Sequence, residues 1–242
     1  MPPLLELDGV TSGYGKVEIL HDLSLAVPAG TVVALLGPNG AGKTTTLRVI
    51  SGTLPCYAGE VRFDGRSLSG CSAYEIARRG ITLVPEGRGI FPGLNVRENL
   101  EIGAHAGDAG GGGAADRQRR IAGVFESFPR LEERLDQRAG TLSGGEQQML
   151  ALSRAFLSQP SLLLMDEISM GLAPRIVEHL FESVAELKEQ GLSIVLVEQY
   201  LTYALRLADI CYVLSKGRIE FVGEPAELRA SEALASSYLG AG

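Results

Sequence analysis

Long hydrophobic runs are missing from this 242-residue chain, which excludes a membrane-spanning helix of about 20 apolar residues. Its short apolar runs, Val32 to Leu36, Leu162 to Met165 and Ile194 to Val197, suit strands buried on both faces. Cysteine is also scarce. Cys56, Cys71 and Cys211 are odd in number and have no metal-ligand spacing, so reduced thiols in a cytoplasmic protein are expected rather than a disulfide framework. The opening Met-Pro-Pro-Leu-Leu-Glu has neither a basic start nor a long apolar stretch, and no secretory signal is expected. Positive charge is not in excess. A formal net charge of -7 offers no overall basic footprint, so nucleic acid is not an expected partner. At 45% apolar residues the chain can bury a sizeable core as one domain or as a domain with a subdomain.

Glycine, by contrast, is placed with purpose. Gly37-Pro38-Asn39-Gly40-Ala41-Gly42-Lys43-Thr44 fits G-x-x-x-x-G-K-[ST], in which successive backbone N–H groups cradle phosphates, the lysine reaches the outer phosphates and the hydroxyl binds Mg²⁺. The flanking pattern supplies the context this motif needs. Thr31 to Leu36 reads as a buried strand, and Lys43 to Ile50 as a helix ended by Gly52. That strand–loop–helix order aims a helix N-terminus at the anion.

Around this unit the sequence predicts an α/β protein with an inserted helical lobe. Leu4 to Thr11 and Val17 to Val27 read as strands separated by a turn at Ser12-Gly13-Tyr14-Gly15. Ile81 to Val84 reads as a further strand, followed by helical periodicity from Asn95 to about Ala155. The glycine run between Gly107 and Ala115 is expected to be a flexible surface loop within those helices. Leu162 to Met165 and Ser193 to Val197 resume the strands, with an amphipathic helix from Arg175 to Lys188 between them. Residues 1–85 and 157–242 are therefore expected to form the nucleotide-binding core, and residues 86–156 the helical lobe.

Two further features carry chemistry. Asp166 and Glu167 close the Leu162 strand, where a phosphate-loop NTPase places a Mg²⁺ ligand and a carboxylate that orients or deprotonates the attacking water. The bland alternative is a solvated acidic turn, disfavoured in a chain that also carries Lys43 and Thr44. The second feature is Leu142-Ser143-Gly144-Gly145-Glu146. As Ser-x-x-Glu it is a capping box. A capped helix start with two glycines is also an anion surface, and because the first loop already meets the needs of one site, this surface is expected to close over the nucleotide of a partner subunit. Tyr14 can stack on an adenine ring or serve as an ordinary half-buried turn residue.

Taken together, Gly37 to Thr45, Leu142 to Gln147, the Leu162 to Glu167 strand and Gly171-Leu172-Ala173-Pro174 resemble the ATP-binding subunits of ABC transporters over essentially the whole chain. No Asn-Lys-x-Asp base-reading motif of simple GTPases is present. The resemblance implies an ABC-type NTPase core with an N-terminal antiparallel β segment and ATP and Mg²⁺ as cofactors. It implies phosphate contacts from Gly37, Pro38, Asn39, Gly40, Ala41, Gly42, Lys43, Thr44 and Thr45, and adenine stacking by Tyr14. Thr44, Glu86 and Asp166 would serve the metal, Glu167 would act as the base with Gln199 as its catalytic companion, and Ser143, Gly144 and Gly145 would contact γ-phosphate across a dimer.

The chain departs from the general pattern at two positions. Glu86 stands where the family usually has a metal-sensing glutamine, and Gln199 where a histidine usually contacts γ-phosphate; His21, His105 and His179 lie elsewhere. An amide can donate a hydrogen bond but cannot become cationic near neutral pH, so phosphate sensing at this site is expected to be weaker.

Those departures narrow the resemblance. Val84-Pro85-Glu86-Gly87-Arg88 with Ile90-Phe91, Leu196-Val197-Glu198-Gln199 and Tyr238-Leu239-Gly240 are similar to one of the two ATPases of branched-chain amino-acid importers, although Ile168 and Met170 replace that subfamily's usual proline and leucine. The implied assembly joins this chain to a homologous second ATPase, two membrane permeases and an extracytoplasmic solute-binding protein at the cytoplasmic face of the membrane. ATPases of urea or amide importers, of lipid exporters and of soluble non-transport systems are the alternatives.

Overall fold

Apolar residues in the short strands alternate between two cores, and this alternation sets the architecture. The computed structural model describes residues 2–107 and 113–231. The glycine-run residues 108–112 and the Tyr238-Leu239-Gly240 motif lie outside the described residues. In chain order the elements are β1 (Leu5–Tyr14), β2 (Val17–Val27), β3 (Val32–Leu36), α1 (Lys43–Ile50), β4 (Cys56–Phe63), β5 (Arg66–Ser67), α2 (Ala73–Arg78) and β6 (Ile81–Val84). The helices α3 (Val96–Ala106), α4 (Ala114–Ser127), α5 (Pro129–Glu132) and α6 (Gly144–Leu157) follow, with a 3₁₀ turn at Ala139–Thr141 before α6. The chain then runs through β7 (Leu162–Asp166), α7 (Pro174–Glu189), β8 (Ser193–Val197), α8 (Leu201–Leu207), β9 (Ile210–Ser215), β10 (Arg218–Gly223) and α9 (Pro225–Ala230).

Six strands form the central sheet in the order β10-β9-β3-β8-β7-β6. All neighbouring pairs are parallel except β10 with β9. Burial on both faces is what a parallel sheet requires. Val32, Ala34 and Leu36 of β3 enter one core with Leu163, Met165, Ile194 and Leu196. Val33 and Leu35 enter the other with Leu162, Leu164, Val195 and Val197. The first core is completed by the helices, including Leu100 of α3, Leu150 of α6 and the Val177, Leu180, Phe181 and Val184 stripe of α7. The second is closed by the antiparallel sheet β2-β1-β4-β5 and by Leu47 and Ile50 of α1.

Helix starts follow local chemistry. Asn95 and Ser143 both form capping boxes, with Glu98 and Glu146 respectively, and Pro174 takes the first turn of α7, where its missing N–H costs nothing.

The first turn differs from its sequence expectation. Ser12, Gly13 and Tyr14 continue β1, and only Gly15 and Lys16 lie between the strands. Register shifts between Leu7 and Val10, Val10 and Ser12, and Ser12 and Gly13 absorb the glycines without ending the pairing. Tyr14 is thus the last residue of a paired strand, opposite Val17.

Candidate nucleotide site

The phosphate loop leaves the C-terminal end of β3 and turns directly into α1. Two of its glycines are dictated by space as well as dihedral. Gly37 has φ of 144°, and a Cβ there would lie 2.1 Å from the Leu214 carbonyl oxygen; Gly42 has φ of 109°, and its Cβ would lie 2.7 Å from Leu20 Cδ2. Gly42 occupies the N-cap of α1 with no side-chain cap, leaving the first-turn N–H groups free for an anion. Asn39 and Gly40 are exposed at the tip, Pro38 and Thr44 are half-buried, and Ala41, Lys43 and Thr45 are buried.

Lys43 folds back over the loop. Its Nζ donates to the carbonyl oxygens of Gly37 at 2.9 Å and Pro38 at 3.1 Å. Burial pushes its pKa down, opposed by the charges of Glu167 and Asp166. The ammonium thus stands within the field of both carboxylates while bound to the loop that would hold phosphate.

Asp166, Glu167 and Gln199 come together at the ends of β7 and β8. Thr44 Oγ1 donates to Asp166 Oδ1 at 3.0 Å, joining the phosphate loop to β7. Asp166 is 3% exposed, and burial pushes its carboxyl up to about 6; the Thr44 hydrogen bond opposes this, while Glu167 and Glu86 add to it and Arg48 relieves it. Glu167 sits in the left-handed region at φ of 48°, which is uncommon for a residue with a side chain and concentrates at functional sites. Its N–H donates to the Val197 carbonyl at 2.9 Å, and its Oε2 accepts from Gln199 Nε2 at 2.9 Å. Gln199 therefore holds the candidate base in place. Glu86 is exposed and acts on Asp166 through its charge.

Among the described residues, no group of three or more His, Cys, Asp or Glu side chains is placed to hold a metal by itself. The neighbouring hydroxyl and carboxylate of Thr44 and Asp166 fit a hard cation that takes its remaining ligands from phosphate and water, as Mg²⁺ does.

The second glycine element is built separately. Ser143 Oγ donates to Glu146 Oε2 at 2.6 Å, and the Ser143 N–H donates to the same oxygen at 2.8 Å. These bonds hold the Glu146 pKa down against burial, aided by the charges of Arg134 and Arg130. A Cβ on Gly144 would lie 2.9 Å from Arg88 Nη2, and one on Gly145 would lie 2.7 Å from Ile176 Cγ2. Arg88 also donates to Gln147 Oε1. Tyr14 is 43% exposed at the end of β1, with Arg48 Nη1 donating to its hydroxyl at 3.0 Å.

One buried contact has no counterpart in the sequence reading. Glu198 and Ser169 are each 1% exposed; the Ser169 N–H donates to Glu198 Oε1 at 3.1 Å and its hydroxyl to Glu198 Oε2. Burial raises the Glu198 pKa against those bonds. This contact ties the loop after Glu167 to the residue before Gln199. A carboxylate ending the apolar run Ile194 to Val197 was its only sequence signal.

A phosphate loop feeding a helix from β3, with paired carboxylates at the end of β7 one strand beyond its neighbour β8, defines a phosphate-loop NTPase. The model of the ABC transporter family matches residues 20–169, and the chain belongs to that family of ATP-binding subunits. It is 45% identical to the high-affinity branched-chain amino acid transport ATP-binding protein BraG of Pseudomonas aeruginosa, over 98% of this chain and all of that protein. Among solved structures it resembles an ATP-binding subunit of an ABC transporter, at 32% identity and a TM-score of 0.84 over 98% of this chain and 96% of the other. It also resembles a dimeric ATP-binding cassette in a post-hydrolysis state bound to ADP and Pi, at 25% identity and a TM-score of 0.81 over 91% and 98% of the two chains.

Proposed function

We propose that this chain is the ATP-hydrolysing subunit of an importer for branched-chain amino acids, acting at the cytoplasmic face of the membrane. The observation that carries the substrate class is the 45% identity to BraG over the full length of that protein. The working assembly pairs this chain with a homologous second ATPase and two membrane permeases, and receives solute from an extracytoplasmic binding protein. The dimeric ADP- and Pi-bound relative supports the pairing. Residues 1–85 and 157–242 serve as the nucleotide-binding core and residues 86–156 as a helical lobe.

In this reading Tyr14 receives the adenine, and the loop from Gly37 to Thr45 binds the phosphates. Mg²⁺, held by Thr44 and Asp166 with Glu86 nearby, would neutralise phosphate charge. Glu167, held by Gln199, orients the attacking water and accepts its proton. Ser143, Gly144 and Gly145 meet the γ-phosphate of the partner's nucleotide. The hydrogen bonds Thr44–Asp166 and Gln199–Glu167 support these roles.

Glu167→Gln tests the chemistry. With the partner's base also disabled, ATP affinity should stay within about twofold while single-turnover hydrolysis falls by about 10²- to 10⁴-fold, the usual contribution of general-base catalysis. Unchanged hydrolysis would remove Glu167 from that role. Uptake of labelled leucine by cells lacking this chain tests the substrate: uptake should be lost and restored by the wild type but not by Glu167→Gln, whereas normal uptake without the chain would overturn branched-chain import.

A further inference from the structure

Tyr14 stands at the end of a hairpin whose tip has little stiffness of its own. It lies between Gly13 and Gly15, and glycine brings backbone freedom that a precisely aimed aromatic ring does not benefit from. Nor can a side chain replace Gly13, because its Cβ would lie 2.0 Å from the Val17 carbonyl oxygen. Stiffening beyond the pairing of Tyr14 with Val17 must therefore come from outside the hairpin.

Arg48 of α1 reaches the ring's own hydroxyl at 3.0 Å, and the neighbouring strand holds the backbone on either side of it. β4 pairs with β1 through Thr11 opposite Ala58 and Ser12 opposite Cys56, so the pairing ends just short of the tip. Tyr57 spans the remaining distance: its hydroxyl donates to the Gly13 carbonyl oxygen at 2.9 Å and lies 3.2 Å from that of Gly15, sharing one proton between them. Those carbonyls flank Tyr14 on both sides. Ser12 Oγ reaches the opposite way, donating to the Pro55 carbonyl at 2.6 Å. Two side-chain bonds thus cross the strand ends where the ladder stops.

We infer that Tyr57 is a positioning residue for base recognition: its hydroxyl clamps both carbonyls beside Tyr14 and sets the ring's direction before the nucleotide base arrives. The inference rests on Tyr14 being the base-stacking residue. A platform ordered in advance binds more tightly because less freedom is lost on binding. Tyr57 is itself 45% exposed, so the bond to the hairpin tip, rather than core packing, is its distinguishing contact.

Affinity measurements on the full chain with ATP and inorganic tripolyphosphate separate the base from the phosphates. Tyr57→Phe removes only the hydroxyl. It should weaken ATP binding by about three- to tenfold, the size of one neutral hydrogen bond, and leave tripolyphosphate binding unchanged. In a Tyr14→Ala background the same substitution should have no further effect on ATP affinity, because the ring it positions is gone. A weakening that persists in that background, or that extends equally to tripolyphosphate, would overturn the inference, as would undiminished ATP affinity in Tyr57→Phe while Tyr14→Ala weakens it. If Tyr14→Ala itself leaves ATP affinity unchanged, the base-stacking role fails first and the clamp falls with it.

Discussion

Asp166 bears its negative charge under unfavourable conditions. It is buried, and Glu167 and Glu86 oppose its ionisation, so its carboxyl is pushed up to about 6 from an ordinary 3.8. With the folded value above the unfolded one, the folded chain binds the extra proton between them, and stability falls as pH rises through that window. At neutral pH the cost is on the order of 1–3 kcal/mol. Asp166→Asn should therefore raise the melting temperature of the nucleotide-free protein at about pH 7.5 and flatten its decline between about pH 4 and 6, while removing the Mg²⁺ dependence of ATP binding. An unchanged stability–pH profile would refute the first expectation. Gln199 raises a related question of charge, because its amide donates to Glu167. Gln199→Ala should slow single-turnover hydrolysis roughly tenfold by freeing the carboxylate, and Gln199→Glu should slow it further by placing like charges together. Equal rates in wild type and Gln199→Glu would detach Gln199 from the base.

At the scale of elements, the start of α6 is fitted from two sides. The Ser143–Glu146 capping box satisfies its end groups, and Gly145 makes room for Ile176 near the start of α7. Gly145→Ala should destabilise the fold by about 1–3 kcal/mol through overpacking, and adding Ile176→Ala should recover part of that loss because the pair shares one space. Urea unfolding of the four variants measures the coupling; strictly additive losses would mean that the helices do not meet there as described. The cap at Ser143 and the strand–loop–helix from Val32 to Ile50 were legible because their signals lie within a few consecutive residues. β4 was not: four of its eight residues are exposed in a row before burial begins to alternate, so no period of two stands out. The Tyr14 turn was misplaced because its glycines mark register shifts within β1 as readily as they mark a chain reversal. Contacts such as Ser169 with Glu198 and Arg88 with Gln147 join residues 29 and 59 positions apart, a separation at which a single sequence gives no local cue. The elements after β8 escaped notice for a different reason. β9 is largely buried but β10 alternates between exposed and half-buried positions without a fully buried one, and their pairing gives an edge strand order that is decided by the folded sheet.

For the whole molecule, the two glycine elements have separate anchors. Lys43 and Thr44 engage Gly37, Pro38 and Asp166, whereas the Ser143 helix start engages Glu146 and has Arg88 and Ile176 beside it. If the second element serves the partner's nucleotide, affinity in the isolated chain and closure of the assembly are separable properties. Ser143→Arg places a long cationic side chain at the closing surface. The isolated chain should still bind ATP within about twofold of wild type, since loss of a cap costs only about 1 kcal/mol and leaves the phosphate loop intact. MgATP-dependent dimerisation with the homologous ATPase should be lost. Ser143→Ala removes the same cap without the bulk, so its retained dimerisation would separate steric blockage from loss of helix stability. Glu167→Gln provides the positive reference, because blocked hydrolysis should hold the closed dimer long enough to sediment as one species. In sedimentation velocity with MgATP, Glu167→Gln should therefore run as a dimer, Ser143→Ala combined with Glu167→Gln should still dimerise but at higher protein concentration, having lost its hydroxyl contact to the γ-phosphate, and Ser143→Arg combined with Glu167→Gln should run as separate subunits throughout. A dimer in the last case would take the Ser143 helix start out of the interface, and a tenfold or greater loss of ATP affinity in isolated Ser143→Arg would assign it to its own subunit's site instead.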